Sequence, residues 1–398
     1  MKWSKVKLVT LTVISAVLLV FLYRMFFPIQ YKFEVEGKVS PPPKFQLSHG
    51  ELFVPASFLE NSLGLKISWD PLPQESTPTS KGIYYRDKVL TLMYHAISPE
   101  VQKGASSIST TEFRTQLELL KKNNFHIITM DQYADFMLKG GKVPDNAVLL
   151  TFDDGYESFY TYAYPILKEF GDTATNFVIV GAVDGHVPGL PKLTWDQMRE
   201  MKKSGMSFYN HTYDAHHMIT VNREGDQKPA LAHLQYLPKE NRVETVQEYR
   251  NRIDADLRHA DNQLQTELGN TRNILCFPYG KYSLTALEVA KSQGINLFFT
   301  IGKGINTKFD RIGYRLDASK AGETPEHLIA RMKRGGKESE NAETKGLLMV
   351  NDIPLPFSGS VPKMKGNELM IPLREFSAAT KVNMTLSNRD RKVTLSMF

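Results

Sequence analysis

Two aspartates stand side by side at positions 153 and 154, shortly after the apolar run Val148, Leu149, Leu150 and directly before Gly155. Adjacent carboxylates repel one another and coexist readily when a cation or a proton separates their charges. Gly155 lets the backbone turn sharply, so both side chains can sit at an open strand mouth. Asp-Asp-Gly is also ordinary chemistry for a solvated turn. A second cluster shifts the balance: His211, His216 and His217 fall within seven residues, just after the apolar Phe208 and Tyr209. Two histidines and one carboxylate form a usual site for a divalent ion with positions left open for water and substrate. Cys276 is the only cysteine, which excludes an intramolecular disulfide and a thiolate-built zinc site, so any metal is held by His and carboxylate. A third apolar run, Ile274-Leu275-Cys276, leads into Phe277-Pro278-Tyr279-Gly280.

Alternating strand and helix patterns must position these groups. Strands are expected at 89–94, 126–129, 148–152, 174–180, 206–210, 274–277 and 297–301. Helices are expected at 111–123, 130–138, 158–170, 194–204, 244–268 and 284–293. Repeated β/α units favour a parallel barrel or a doubly wound sheet, and in a barrel functional groups gather at the C-terminal strand ends, where Asp153 and Asp154 stand. His95 ends the first strand and can reach the mouth or serve structurally. Residues 221–243 form a long insertion after the histidines, in which His233 and Tyr236 either cover a groove or belong to a mobile segment.

The chain has 398 residues, enough for more than one folding unit, and its formal charge of +6 is too mild to argue for nucleic acid. Lys2, Lys5 and Lys7 precede an apolar stretch over 8–27, and about 20 apolar residues span a bilayer. The expectation is a cytoplasmic segment 1–7 and an uncleaved transmembrane signal-anchor over 8–27, giving a single-pass protein of the cell membrane whose catalytic domain is extracellular. A small unit at 29–70 carries Glu51-Leu52-Phe53-Val54-Pro55, and a second at 347–398 carries Glu368-Leu369-Met370-Ile371-Pro372, each followed by a Phe-bearing helix. Linkers are expected at 71–87 and 335–346, around a central domain at 88–334. The two small units resemble the stalk module related to the N-terminal domain of copper amine oxidases, and their shortness suggests that they pack together or against the central domain.

Thr151-Phe152-Asp153-Asp154-Gly155, then His211-Thr212-Tyr213-Asp214-Ala215-His216-His217, then Phe277-Pro278-Tyr279-Gly280 resemble, in order and spacing, the polysaccharide deacetylase (NodB-homology) family of carbohydrate esterases. The interval of five between His211 and His216 resembles that of the poly-N-acetylglucosamine deacetylases. The resemblance implies an α/β fold: a distorted (β/α) barrel, here with small α+β stalk units before and after it and an N-terminal transmembrane helix. It implies Asp153 as general base and Asp154, His211 and His216 as ligands of zinc or another divalent ion (cobalt, nickel or iron(II)). It further implies that His217 does not ligate, that Asp214 is a turn or supporting residue, and that Pro278 and Tyr279 line the groove, with the Tyr279 backbone N–H facing an oxyanion. His95 is read as a substrate-binding residue of that groove.

Two features depart from the family pattern. The Arg that usually orients the base is replaced by Cys276, and no strand carrying Leu-x-His precedes Arg334; the nearest match, at Leu348 to Asp352, has Asn351 in that place. Arg315 is a candidate charge partner for the base. The expected function is therefore removal of N-acetyl groups from an extracellular amino-sugar polymer, either poly-N-acetylglucosamine-like or peptidoglycan. The expected partners are that N-acetylated glycan and, through the N-terminal helix, the cytoplasmic membrane. The competing reading is a catalytically impaired glycan- or wall-binding surface protein built on the same core; an ester deacetylase would use the same metal chemistry.

Overall fold

A computed structural model describes residues 30–48, 50–71, 82–101, 106–185, 190–320, 322–335, 346–351, 353–355, 360, 362–380, 382–387 and 390–397. Two compact units emerge, one built around the centre of the chain and one from its two ends.

The larger unit holds a parallel sheet whose main path has eight strands: β1 (Val89–Tyr94), β2 (Ala147–Phe152), β3 (Thr175–Val178), β4 (Ser207–Asn210), β5 (Ile274–Cys276), β6 (Leu297–Phe299), β7 (Ile312–Gly313) and β8 (Leu316–Asp317). Their order is β7-β6-β5-β4-β3-β2-β1-β8, and a stub at His126–Ile127 also pairs with β2. β1 and β2 are buried at every position, as expected of strands covered on both faces. The intervening helices start at well-made caps: Ser109, Thr129, Thr194 and Thr245 each close a capping box with a Glu or Gln three residues on.

The edge strands β7 and β8 are separated in sequence only by Tyr314 and Arg315, yet they lie at opposite ends of the path and do not pair with each other. The sheet is therefore a curled (β/α)-like half-barrel. The expected distorted barrel is corrected in this respect, because the chain itself crosses the seam where a ladder would have closed it. Buried Asn306 stitches that seam. Its backbone exchanges two hydrogen bonds with Val89, while its side chain donates to the Tyr314 carbonyl (3.0 Å) and accepts from the Tyr314 N–H (2.7 Å).

In the smaller unit the two end segments, expected to pack together or against the central domain, pair with each other. Strand Lys32–Val35 pairs in parallel with Lys392–Met397, and Glu51–Pro55 pairs antiparallel with Glu368–Pro372, placing Val54 opposite Ile371. The two copies of the Glu-Leu-apolar-apolar-Pro repeat thus pair with one another. Each short segment buries its apolar face against the other, with Phe33, Val54, Leu59, Ile371, Phe376 and Leu395 forming the core. The Leu348-Met349-Val350 stretch instead belongs to a strand, Gly346–Val350, that pairs with Ile67–Pro71 in the larger unit.

The transmembrane signal-anchor over 8–27 lies outside the described residues, and no helix among the described residues is long and apolar enough to cross a membrane. The single-pass topology, the cell-membrane location and the membrane as partner are accordingly withdrawn. Most of the linker at 71–87 and nearly all of that at 335–346 also lie outside the described residues.

Candidate active site

Strand β2 ends at Phe152, and its next two residues face different partners. The Asp153 N–H donates to the carbonyl of Tyr94, the last residue of β1 (2.9 Å), which fixes Asp153 at the mouth of the sheet. Asp154 adopts a left-handed backbone (φ 72°), as does Gly155 after it (φ 65°), and this turns the second carboxylate away from the first. Behind them the chain enters a π-helical turn, Phe159–Ala163, before the α-helix at Tyr164–Phe170, an irregularity common beside functional residues.

Asp154 meets the histidines. Its Oδ1 lies 3.5 Å from His211 Nε2 and 3.1 Å from His216 Nε2. Ligand atoms about 2.1 Å from a common centre in a tetrahedron are about 3.4 Å apart, so these separations are those of a metal cage. The same Oδ1 is buried and has no hydrogen-bond partner among the described residues, as befits an atom reserved for a cation. His211 donates from Nδ1 to the Cys276 carbonyl (2.8 Å), leaving the Nε2 lone pair pointing at Asp154. Burial lowers the His211 pKa despite the carboxylates beside it, so the ring is neutral and able to ligate. Burial alone would raise the Asp154 carboxyl, but the two histidines facing it hold it well below the usual carboxylate range. The residues present therefore fit a divalent ion held by Asp154, His211 and His216.

A second grouping of Asp153, His211 and Cys276 also brings ligand atoms together, but its chemistry is unsuitable. Burial pushes the Cys276 thiol up, away from the thiolate that metals require. Both Asp153 oxygens are already taken by Arg315, at 2.6 Å from Nη1 and 2.8 Å from Nη2. Arg315 crosses the sheet seam to make this fork. Its Nε donates to the Thr300 carbonyl (2.9 Å) and its Nη2 reaches Cys276 Sγ (3.0 Å). Burial would raise the Asp153 carboxyl, but the charge of Arg315, followed by that of His211, holds it below the ordinary value. Arg315 thus takes the part expected of an Arg at position 276, which a search confined to that position misses.

The mouth of the site is lined by Tyr279, whose ring packs 4.7 Å from that of His216, and by Pro278, which is buried. Tyr279 has a left-handed backbone (φ 56°), and Gly280 after it is required on two grounds: φ is 64°, and a Cβ there would come within 2.4 Å of Ile301. His95 follows β1, and its field reaches Asp153; its Nδ1 is buried without a hydrogen-bond partner among the described residues. His217 is exposed and donates from Nδ1 to the Asp214 carbonyl (2.7 Å), outside the cage.

Lys192 and Asp256 carry no motif and went unmarked in the sequence. Lys192 donates to the Asp154 carbonyl (2.9 Å) and sits 3.8 Å above the Tyr156 ring. Asp256 accepts the N–H groups of Tyr213, Asp214 and Ala215 at 3.0, 2.8 and 3.0 Å. No local pattern singles out either residue, since each acts through backbone groups far away in sequence. The insertion at 221–243 proves to be structured. It contributes to two hairpins (Met218–Thr220 with Gln227–Pro229, Tyr236–Leu237 with Arg242–Val243) and is pinned by Arg252, which donates to the Ala230 and His233 carbonyls. The Tyr236 hydroxyl is bonded to Asn241 within its own hairpin.

Comparison with family models matches residues 140–298 to the polysaccharide deacetylase family. A poly-β-1,6-N-acetyl-D-glucosamine N-deacetylase of Escherichia coli K12 is 30% identical over 229 residues, covering 54% of this chain and 34% of the relative. The chain thus matches about a third of that relative's length. An enzyme of the same description from Staphylococcus aureus MRSA252 is 26% identical over 274 residues, covering 65% of this chain and 87% of the relative. The solved structure of a de-N-acetylase from Aggregatibacter actinomycetemcomitans superposes with a TM-score of 0.55 at 31% identity, covering 60% of this chain and 97% of that one. These similarities lend nothing to the likeness between the terminal segments and copper amine oxidases.

Proposed function

The central domain of this chain belongs to the polysaccharide deacetylase family of hydrolases, and from that membership and the geometry of its site we propose that it removes N-acetyl groups from an amino-sugar polymer. Poly-β-1,6-N-acetylglucosamine, named for its relatives, is the polymer we assign, with peptidoglycan glycan as the alternative. The observation that carries the reading is the division of labour between adjacent aspartates: Asp154 faces two histidines at metal-cage distances while Asp153 is gripped by Arg315.

Asp154, His211 and His216 would hold the ion, with zinc as the assignment. A divalent ion there supplies Lewis acidity to an amide carbonyl and acidifies water. Asp153, kept ionised and oriented by Arg315, takes the proton of the attacking water. His95, at the neighbouring strand end with an unpaired Nδ1, gives a proton to the departing amine, the role for which the sequence offered no Leu-x-His. Tyr279 and Pro278 bound the groove, and the Tyr279 N–H is assigned to the developing oxyanion. The absence of Arg at position 276, which favoured a glycan-binding protein without catalysis, loses its force because Arg315 reaches the base from the link between the two edge strands.

The test is acetate release from β-1,6-linked N-acetylglucosamine oligomers by zinc-loaded protein, with Asp153→Asn as control. Release that vanishes in the variant supports the proposal. Zinc-loaded protein that frees no acetate from these oligomers or from peptidoglycan glycan would overturn it.

A further inference from the structure

The two metal-binding histidines are separated by a loop that makes little regular structure of its own, and one helix holds that loop in place. Helix α1 (Val246–Leu268) buries the stripe Tyr249, Ile253, Leu257, Ala260, Leu264 and Leu268. Asp256 and Asp261 flank that stripe and turn their carboxylates toward the chain around His211. Asp256 Oδ1 accepts from the Tyr213 N–H, and its Oδ2 accepts from both Asp214 and Ala215. Three successive N–H groups converging on one anion form a backbone nest filled from within the protein. At the start of the loop, Asp261 accepts from the Asn210 amide (2.8 Å), and Asn210 Oδ1 in turn accepts from the Thr212 N–H (2.6 Å). Thr212 itself is held in a left-handed backbone (φ 74°), unusual for a β-branched residue and sustained only by surroundings that over-determine it.

Resting on the metal-site reading above, we propose that Asp256 is a positioning residue that presets the metal cage: by clamping the backbone between His211 and His216, it holds both imidazoles at Asp154 before any ion binds. The charge of the clamp matters. An Asn in its place offers one acceptor oxygen and turns an NH₂ toward amide donors, so at least one of the three N–H groups loses its partner. A loop freed in this way must be ordered at the expense of binding free energy, which appears as weaker metal affinity.

The experiment titrates zinc into metal-free full chain and into its Asp256→Asn and Asp254→Asn variants. Asp254 lies on the same helix but bonds to Arg258 and Gln293, away from the loop. The expected result is a zinc Kd raised about 10- to 100-fold by Asp256→Asn and unchanged by Asp254→Asn, with circular dichroism unaltered. An Asp256→Asn Kd within twofold of the parent overturns the proposal while leaving the proposed function intact. A parent chain that binds no zinc overturns both. Amide exchange of the metal-free parent chain gives an answer even if the variant fails to fold. Protection of Tyr213, Asp214 and Ala215 without zinc supports the preset cage, and protection gained only on adding zinc overturns it.

Discussion

The guanidinium of Arg315 and the carboxylate of Asp153 meet in a two-pronged fork, 2.6 and 2.8 Å long, with both side chains buried. Arg315 lies between the two edge strands of the curled sheet, so the Asp153 carboxylate is oriented from the seam.

Removing one member of a buried pair strands the other, at a cost of about 3–5 kcal/mol. Arg315→Met is expected to lower stability by that order in urea unfolding and to raise the Asp153 pKa. Since the folded value is now held below the ordinary one, the pair's stabilisation is complete above the unfolded-state pKa of about 3.9 and is lost as pH falls through the lowered folded value. In the variant the pair and its stabilisation are gone, and burial leaves the Asp153 pKa higher. The acidic limb of the kcat profile moves upward with it.

Asp153 and Asp154 are predicted to fail differently. Asp154→Asn, His211→Ala and His216→Ala should each leave less than about a tenth of the parent's zinc after dialysis, because every ligand in a three-ligand site is essential. Asp153→Asn should keep its zinc and lose about 10²- to 10⁴-fold in kcat, the usual contribution of a general base. Metal analysis beside single-turnover kinetics separates the two classes.

His95→Asn is expected to lower kcat by about 10²- to 10³-fold while sparing KM and zinc content, as loss of a proton donor does. An amide substrate with an activated leaving group that needs no protonation should recover most of the rate. Recovery confined to that substrate identifies the donor.

Thr212 supplies a stability prediction. Its left-handed backbone and its buried Oγ1, without a partner among the described residues, are both unfavourable, so Thr212→Gly is expected to raise the unfolding free energy by about 1 kcal/mol. The loosened loop should bind zinc less tightly, an instance of stability traded against function. Urea midpoints and zinc titration of the same variant measure both effects.

The residues that act through their own side chains at strand ends were legible in the sequence. Asp153, Asp154 and His211 follow apolar runs, His216 comes five residues after His211, and the alternation of strands and helices sets them at one mouth. Arg315 was legible only as a candidate, because the two-residue strands flanking it carry no periodic signal. Asp256 and Asn306 were not legible. They bond to backbone groups that the fold brings near, and a half-buried carboxylate on a charged helix looks like any solvated one. The repeat shared by the two ends was visible, but nothing local in either copy says that its partner is the other.

Because strand Lys32–Val35 lies against Lys392–Met397, the smaller unit cannot be completed until residues 392–397 have been made. Closing a loop of that size costs roughly 5 kcal/mol of chain entropy, so a central unit that folds first and brings the ends together lightens the cost. During synthesis Lys32–Val35 and Glu51–Pro55 therefore have only their local hairpin partners while the site-bearing unit assembles. A ribosome stalled shortly before residue 363 would hold a chain with its metal ligands in place and with Lys32–Val35 and Glu51–Pro55 still lacking their partners Lys392–Met397 and Glu368–Pro372.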